Sequence, residues 1–225
     1  HPAHIHQKKE LDMKKLSFAV IICLILVTAF TAQAQFKLAI GGITGFNLSI
    51  HSGSDVQSTG TGLGFAIGGQ ADMSFSKNIG IVTTLYFYDG RGGSYTNSYN
   101  YYGTNYTSDV SASVGYFEIE PLFKYTLPSA PIYIIGGPSI GFAVQNSYDV
   151  KTSGQSASQK GTIQEMNARF ELKAGAGYTY YVISRDLRLN GQFTFGYGVS
   201  NVQSNVNWKI MTFALHTAIE FDVIK

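Results

Sequence analysis

NARFELKAGAGYTYYV, residues 167–182, sets three charges, Arg169, Glu171 and Lys173, at alternate positions, with Phe170, Leu172, Ala174, Ala176, Tyr178 and Tyr180 filling the other set. A β-strand sends successive side chains to opposite faces, so this stretch has one face of charge and glycine and one that is apolar and aromatic. Which face meets water decides the fold.

The same division runs through the chain. Two-residue periodicity predicts eight strands, at 36–50, 63–76, 78–89, 111–127, 131–145, 166–183, 186–200 and 206–224, and no segment has a helical period. One parity carries Phe46, Leu48, Phe65, Ile67, Ile134, Phe142, Phe193, Phe195, Phe213, Leu215 and Ile219. The other carries Lys37, Asp72, Glu118, Glu120, Lys124, Arg169, Glu171, Lys173, Asp186, Arg188, Glu220 and Asp222, among many small residues. A soluble sandwich or lipocalin also alternates, with its apolar face inward.

Aromatic spacing separates the two readings. Phe36 and Phe46, Phe65 and Phe75, Phe170 and Tyr180, and Phe213 and Phe221 share the apolar parity, eight to ten residues apart. At about 3.3 Å per residue and a tilt near 40°, ten residues rise about 25 Å, the height between the aromatic girdles of an outer-membrane barrel. Connections agree: short ones near Lys77, at 127–131 and at Ser184-Arg185 alternate with long polar ones. The expected fold is therefore all-β, an eight-stranded antiparallel up-and-down transmembrane barrel, porin-like in wall but narrow. Phe170 and Leu172 then face lipid, and Arg169, Glu171 and Lys173 face the lumen.

Composition supports this. Of 225 residues only 13% are charged and 44% are hydrophobic, with 25 Gly, 15 Tyr and 15 Phe, well below the charge of soluble domains. From Met13, Lys14 and Lys15 precede an apolar run ending in Ala32-Gln33-Ala34, which reads as a signal peptide over 13–34 cleaved between Ala34 and Gln35. Residues 1–12 read as an upstream extension, and 35–225 as the barrel domain. The only cysteine, Cys23, lies in the signal core, so the processed chain forms no disulfide. Processing removes Lys8, Lys9, Lys14, Lys15, Glu10 and Asp12 from 16 basic and 14 acidic residues, leaving 12 of each and no basic patch for nucleic acid.

An eight-stranded barrel has an interior that side chains just fill, so the inward charges of mixed sign read as a salt-bridge plug. A narrow pore or a transport- or secretion-associated barrel is the rival, and it would favour one sign of charge along a continuous line. The tyrosine-rich stretch 92–109, with Tyr95, Tyr99, Tyr101, Tyr102 and Tyr106, reads as a solvated outer loop of the composition used in recognition, with Arg91 exposed at its start. The only histidines of the processed chain, His51 and His216, carry no motif of an enzyme acting on lipid A. No catalytic, cofactor or metal residue is expected.

GITGFNLS (42–49), YFEIEPLFKY (116–125), GGPSIGF (136–142), KAGAGYTYY (173–181) and GYGVSNV (196–202) resemble the eight-stranded outer-membrane barrels of Bacteroidetes, the broad PorT-like group. Glu120 stands between Ile119 and Pro121, where that group has Pro directly after Glu-Ile, and the chain ends Phe221-Asp-Val-Ile-Lys225 rather than on an aromatic residue. The resemblance implies a Gram-negative outer membrane, contact with its lipid and with the barrel assembly machinery, periplasmic termini and long loops outside. The motifs are short and glycine-rich and point to an architecture more than an activity; the role expected of the chain is structural or at the cell surface, toward an extracellular ligand or surface partner.

Overall fold

A computed structural model describes residues 36–54, 60–101, 104–153, 158–181 and 187–224. The upstream extension, the signal peptide, the pair Ala34 and Gln35, and Tyr102 and Asp186 lie outside these residues.

The strands are β1 (Lys37–Ser52), β2 (Gly60–Ser74), β3 (Ile79–Gly90), β4 (Gly93–Tyr101), β5 (Thr104–Thr126), β6 (Ile132–Thr152), β7 (Gln159–Thr162), β8 (Arg169–Tyr181), β9 (Leu187–Gly198) and β10 (Lys209–Ile224). Eight of them form an antiparallel ring in the order β1, β2, β3, β5, β6, β8, β9, β10. Pairing of β1 with β10, from Leu38 opposite Ile224 to Ser52 opposite Lys209, closes it. A closed ring leaves no strand edge, and its ladders pair the wall amides along most of their length, the condition for a sheet in lipid.

The ring is inside-out relative to a soluble protein. Phe46 (71% exposed), Leu63 (78%), Leu215 (62%), Phe87, Leu172 and Ile219 stand on the outer surface. Buried apolar residues form only small groups, such as Leu122 with Tyr133 and Ile135. Phe36 and Phe75 lie 6.2 Å apart at the end holding both chain ends, hereafter the terminal end. Phe65 and Tyr88 lie 5.0 Å apart toward the other, the hairpin end.

Two strands lie outside the predicted set. The stretch 92–109, expected as a loop, is a β-hairpin in which β4 pairs with the start of β5, Tyr99 opposite Tyr106. The period reading stopped at residue 111 because the hairpin alternates polar residues on both faces. Tyrosine and threonine favour extended backbone, and the partner strand supplies the pairing. At 23 and 21 residues, β5 and β6 are about twice as long as a membrane crossing requires. The short β7 extends the sheet by pairing with β6 from Ser147 to Val150.

A β-bulge repositions the end of β3. Tyr86 pairs with Glu118 but Asp89 pairs with Tyr116, so three steps on β3 match two on β5. The extra residue reverses parity, and Asp89 and Arg91 turn inward. Arg91 is thus fully buried, not exposed at the start of a solvated loop as expected.

Candidate functional site

The lumen holds two clusters of ion pairs separated by a neutral layer. In the cluster toward the hairpin end, Lys173 Nζ lies 2.5 Å from Glu118 Oε1 and also contacts Glu120. Arg169 pairs with Glu171 and lies 3.3 Å from Glu118 Oε2. Arg91 donates from Nε to Asp89 Oδ2 at 2.7 Å. These residues come from β3 and the segment just after it, β5 and β8, and curvature of the wall turns them toward one another.

Aromatic rings line the same cluster. The Arg169 guanidinium lies 4.9 Å from the centre of the Tyr116 ring, and Lys173 Nζ 5.8 Å from that of Tyr86. Such contacts spread the field of a desolvated cation over a π face. Tyr86 Oη is 2.9 Å from His216 Nδ1, and His216 Nε2 is 3.0 Å from Asn47 Oδ1. Because an amide oxygen only accepts, His216 donates from Nε2 to Asn47, while its Nδ1 meets the tyrosine hydroxyl. Asn47 Nδ2 then donates to Asp89.

The neutral layer joins Gln192 Nε2 to Gln70 Oε1 at 2.9 Å, with Thr84 Oγ1 donating to the same oxygen at 3.2 Å. Toward the terminal end, Lys124 Nζ lies 2.5 Å from Asp72 Oδ2. Arg188 Nε stands 3.0 Å from Glu220 Oε2 and 3.3 Å from Asp222 Oδ1. Gln70 and Asn190 also donate to Glu220, at 2.7 and 2.6 Å.

Of the twelve charges on the inward parity, Asp186 lies outside the described residues, and the structure gathers ten of the other eleven into pairs, with Asp222 partly open at the terminal rim. Lys37 is the exception. It is exposed at the first position of β1, beside a second cavity at the terminal end that Lys77, Lys124 and Arg188 also line. Sequence reasoning missed Asp89, Arg91, Asn47, Tyr86 and His216 as members of the network. Asp89-Gly90-Arg91 did carry a signal, since charges two positions apart on a strand share a face, but a bulge was needed to say which face.

Glycines on the inner face make room for this filling. A Cβ on Gly177 would overlap the Tyr133 ring, and one on Gly196 would come within 3.0 Å of the Glu171 carboxylate.

Above the hairpin-end cluster lies the mouth of the barrel. His51 Nε2 is 3.1 Å from the carbonyl oxygen of Arg91 and 3.0 Å from that of Gly92, and Trp208 Nε1 donates to His51 Nδ1 at 3.1 Å. Two carbonyl acceptors fix the proton on Nε2, so His51 is neutral. The segments 163–167 and 201–208 are tied together over this floor by Asn167 N to Val202 O at 2.9 Å and Ser204 N to Glu165 O at 3.0 Å. Of the tyrosines proposed for recognition, Tyr95, Tyr99 and Tyr101 lie on β4 and Tyr106 on β5.

Comparisons place this architecture. The attachment invasion locus protein Ail of Yersinia pestis shares 12% identity, with 81% of this chain and 98% of that one covered, at a TM-score of 0.40. Neisserial surface protein A shares 10%, covering 84% and 98% at 0.36, and OprG from Pseudomonas aeruginosa shares 10%, covering 84% and 96% at 0.37. No curated protein sequence matches the chain. The family model described as the outer membrane protein beta-barrel domain matches residues 31–204, most of the described wall. With its closed ring of eight strands, apolar outside and ion-paired inside, the chain belongs to the outer-membrane β-barrel domain family.

Proposed function

We propose that this outer-membrane barrel serves at the cell surface, presenting its hairpin end to an extracellular ligand or surface partner, with a lumen that is structural rather than conducting. The observation that carries this reading is the filling of the lumen. Arg91, Arg169, Glu118, Glu120 and Glu171 are buried and cross-paired where an aqueous path would run. Signs are mixed throughout, which selects for neither anion nor cation.

The hairpin end is the outward one in this proposal. With eight strands both chain ends share a side, and export behind a cleaved signal peptide leaves that side periplasmic. The motifs resembling the PorT-like group fit a barrel inserted by the assembly machinery in this sense. A non-enzymatic role is supported by both histidines, whose ring nitrogens are engaged by tyrosine, asparagine, tryptophan and backbone groups, with no serine among those partners.

Two measurements test the reading. Protein in planar bilayers is expected to give no steady unitary conductance, and regular steps would favour the pore. In intact cells, Thr96→Cys on the β4–β5 hairpin is expected to react with a membrane-impermeant maleimide, whereas Ser76→Cys at a terminal-end turn reacts only after the outer membrane is opened. The reverse pattern would overturn the orientation.

A further inference from the structure

The mouth at the hairpin end encloses a cavity of about 410 Å3, within the range of small-ligand sites. Val110 and Ala112 of β5, Tyr148 of β6, and Ile163, Val206 and Trp208 of the connecting segments form its walls. Among the described residues, none of the twelve that line it is Lys, Arg, Asp or Glu. That is a sharp change from the lumen directly beneath, where ion pairs dominate.

The floor has no spare polarity either. His51 spends its Nε2 proton on the carbonyls of Arg91 and Gly92, and its Nδ1 lone pair on the indole N–H of Trp208. The two rings lie 5.6 Å apart, so the floor offers aromatic surface to whatever enters. The remaining polar side chains of the lining, Tyr148, Thr162, Gln164 and Gln203, are neutral donors and acceptors. A charged guest would lose its hydration here without gaining a counter-ion. A flat ring gains stacking on the indole and tyrosine, with a polar substituent free to meet Thr162 or a glutamine. An alkyl chain gains nothing over the surrounding lipid.

We propose that the hairpin-end mouth is a binding site for a small, uncharged aromatic molecule carrying a hydroxyl or similar neutral polar group, stacked against Trp208 and Tyr148. This deepens the surface-interaction reading by naming a ligand class. Its test does not depend on which way the barrel faces in a cell, so the two can fail separately.

Trp208 is the only tryptophan of the chain, and it lines the cavity, so its fluorescence reports the site directly. The full chain, refolded in phosphatidylcholine vesicles, is titrated with 4-bromobenzyl alcohol, whose bromine quenches indole on contact. Saturable quenching is expected, with 4-bromobenzoate binding about tenfold or more weakly because its charge finds no partner. Ala112→Leu and Val206→Phe, which fill the cavity from a strand and from a connecting segment, should each leave only linear quenching of the kind partition into lipid produces. Retained heat-dependent gel mobility identifies which of the two variants has folded. Linear quenching in the unsubstituted protein, equal affinity for the benzoate, or undiminished saturation in a folded filled variant would each overturn the proposal.

Discussion

Asp89 and Arg91, two positions apart on β3 and its exit, meet inside the barrel with Arg91 Nε 2.7 Å from Asp89 Oδ2, although alternation through Tyr86 would turn both toward lipid. Arg91→Met should therefore be strongly destabilising, because Asp89 keeps only Asn47 as a close partner. Breaking one side of a buried pair costs about 3 to 5 kcal/mol. Asp89→Leu combined with Arg91→Met should recover most of that loss. Urea unfolding in vesicles measures both, and equal stability of the single variant and the parent would refute the pairing. Trypsin should also fail to cut the folded protein after Arg91.

The outer face can be tested at Leu215, which is 62% exposed on β10 and lies between the girdle residues Phe213 and Phe221. Leu215→Arg should cost about 1 to 2 kcal/mol, since a cation on the lipid face between the girdle and the middle of the hydrocarbon layer is poorly solvated. Leu215→Ala should cost much less. Unfolding free energies in vesicles that rank the two in the opposite order would mean the wall is turned inside out.

Glycine positions offer a contrast within one residue type. Gly177→Ala places a methyl group where the Tyr133 ring sits, and Tyr133 in turn holds Lys124 Nζ 4.4 Å above its centre. Overpacking of this kind costs about 1 to 3 kcal/mol. At Gly42 and Gly191 a Cβ would meet nothing within 4 Å. Alanine there should be neutral or stabilise by about 0.4 to 1 kcal/mol through the unfolded chain. Melting of the three variants in one detergent decides it, and three equal shifts would remove the packing explanation.

Trimming the tyrosine-rich hairpin should spare the barrel. Pairing of β5 with β6 begins at Ser108 opposite Thr152, so the strand pairing of residues 97–101 and 104–106 stays within β4 and β5. Replacing them with a two-residue turn is expected to leave heat-dependent gel mobility and the unfolding midpoint unchanged. Loss of the folded band would show that the hairpin helps to close the wall.

Alternation in RFELKAGAGYTYY was enough to read the ring, because a barrel repeats one local rule eight times and lipid enforces it at every outward position. The lumen was legible as a set of charges, and Glu118, Glu171 and Lys173 do meet. Their partners were harder to see. Period two has no memory across an inserted residue, so the Asp89 and Arg91 contribution disappeared at the bulge. The mouth was illegible for another reason: Trp208 and His51 lie 157 positions apart, and their hydrogen bond exists only once β1 and β10 have closed the ring.

The ion-paired lumen also governs how this wall can be assembled. Spread flat in a bilayer, β5 and β8 would turn Glu118, Glu120, Arg169 and Lys173 toward hydrocarbon, and each ion parted from a cross-lumen partner would cost several kcal/mol. Hairpins entering lipid one at a time thus climb a steep hill, while a sheet that curls before or during entry does not. The last seam, where Asn47 of β1 reaches His216 of β10, converts a sheet that lipid rejects into a cylinder that lipid accepts. Insertion and closure of this wall are therefore expected to be coupled, appearing as one phase when refolding into vesicles is followed by gel mobility and by protease protection.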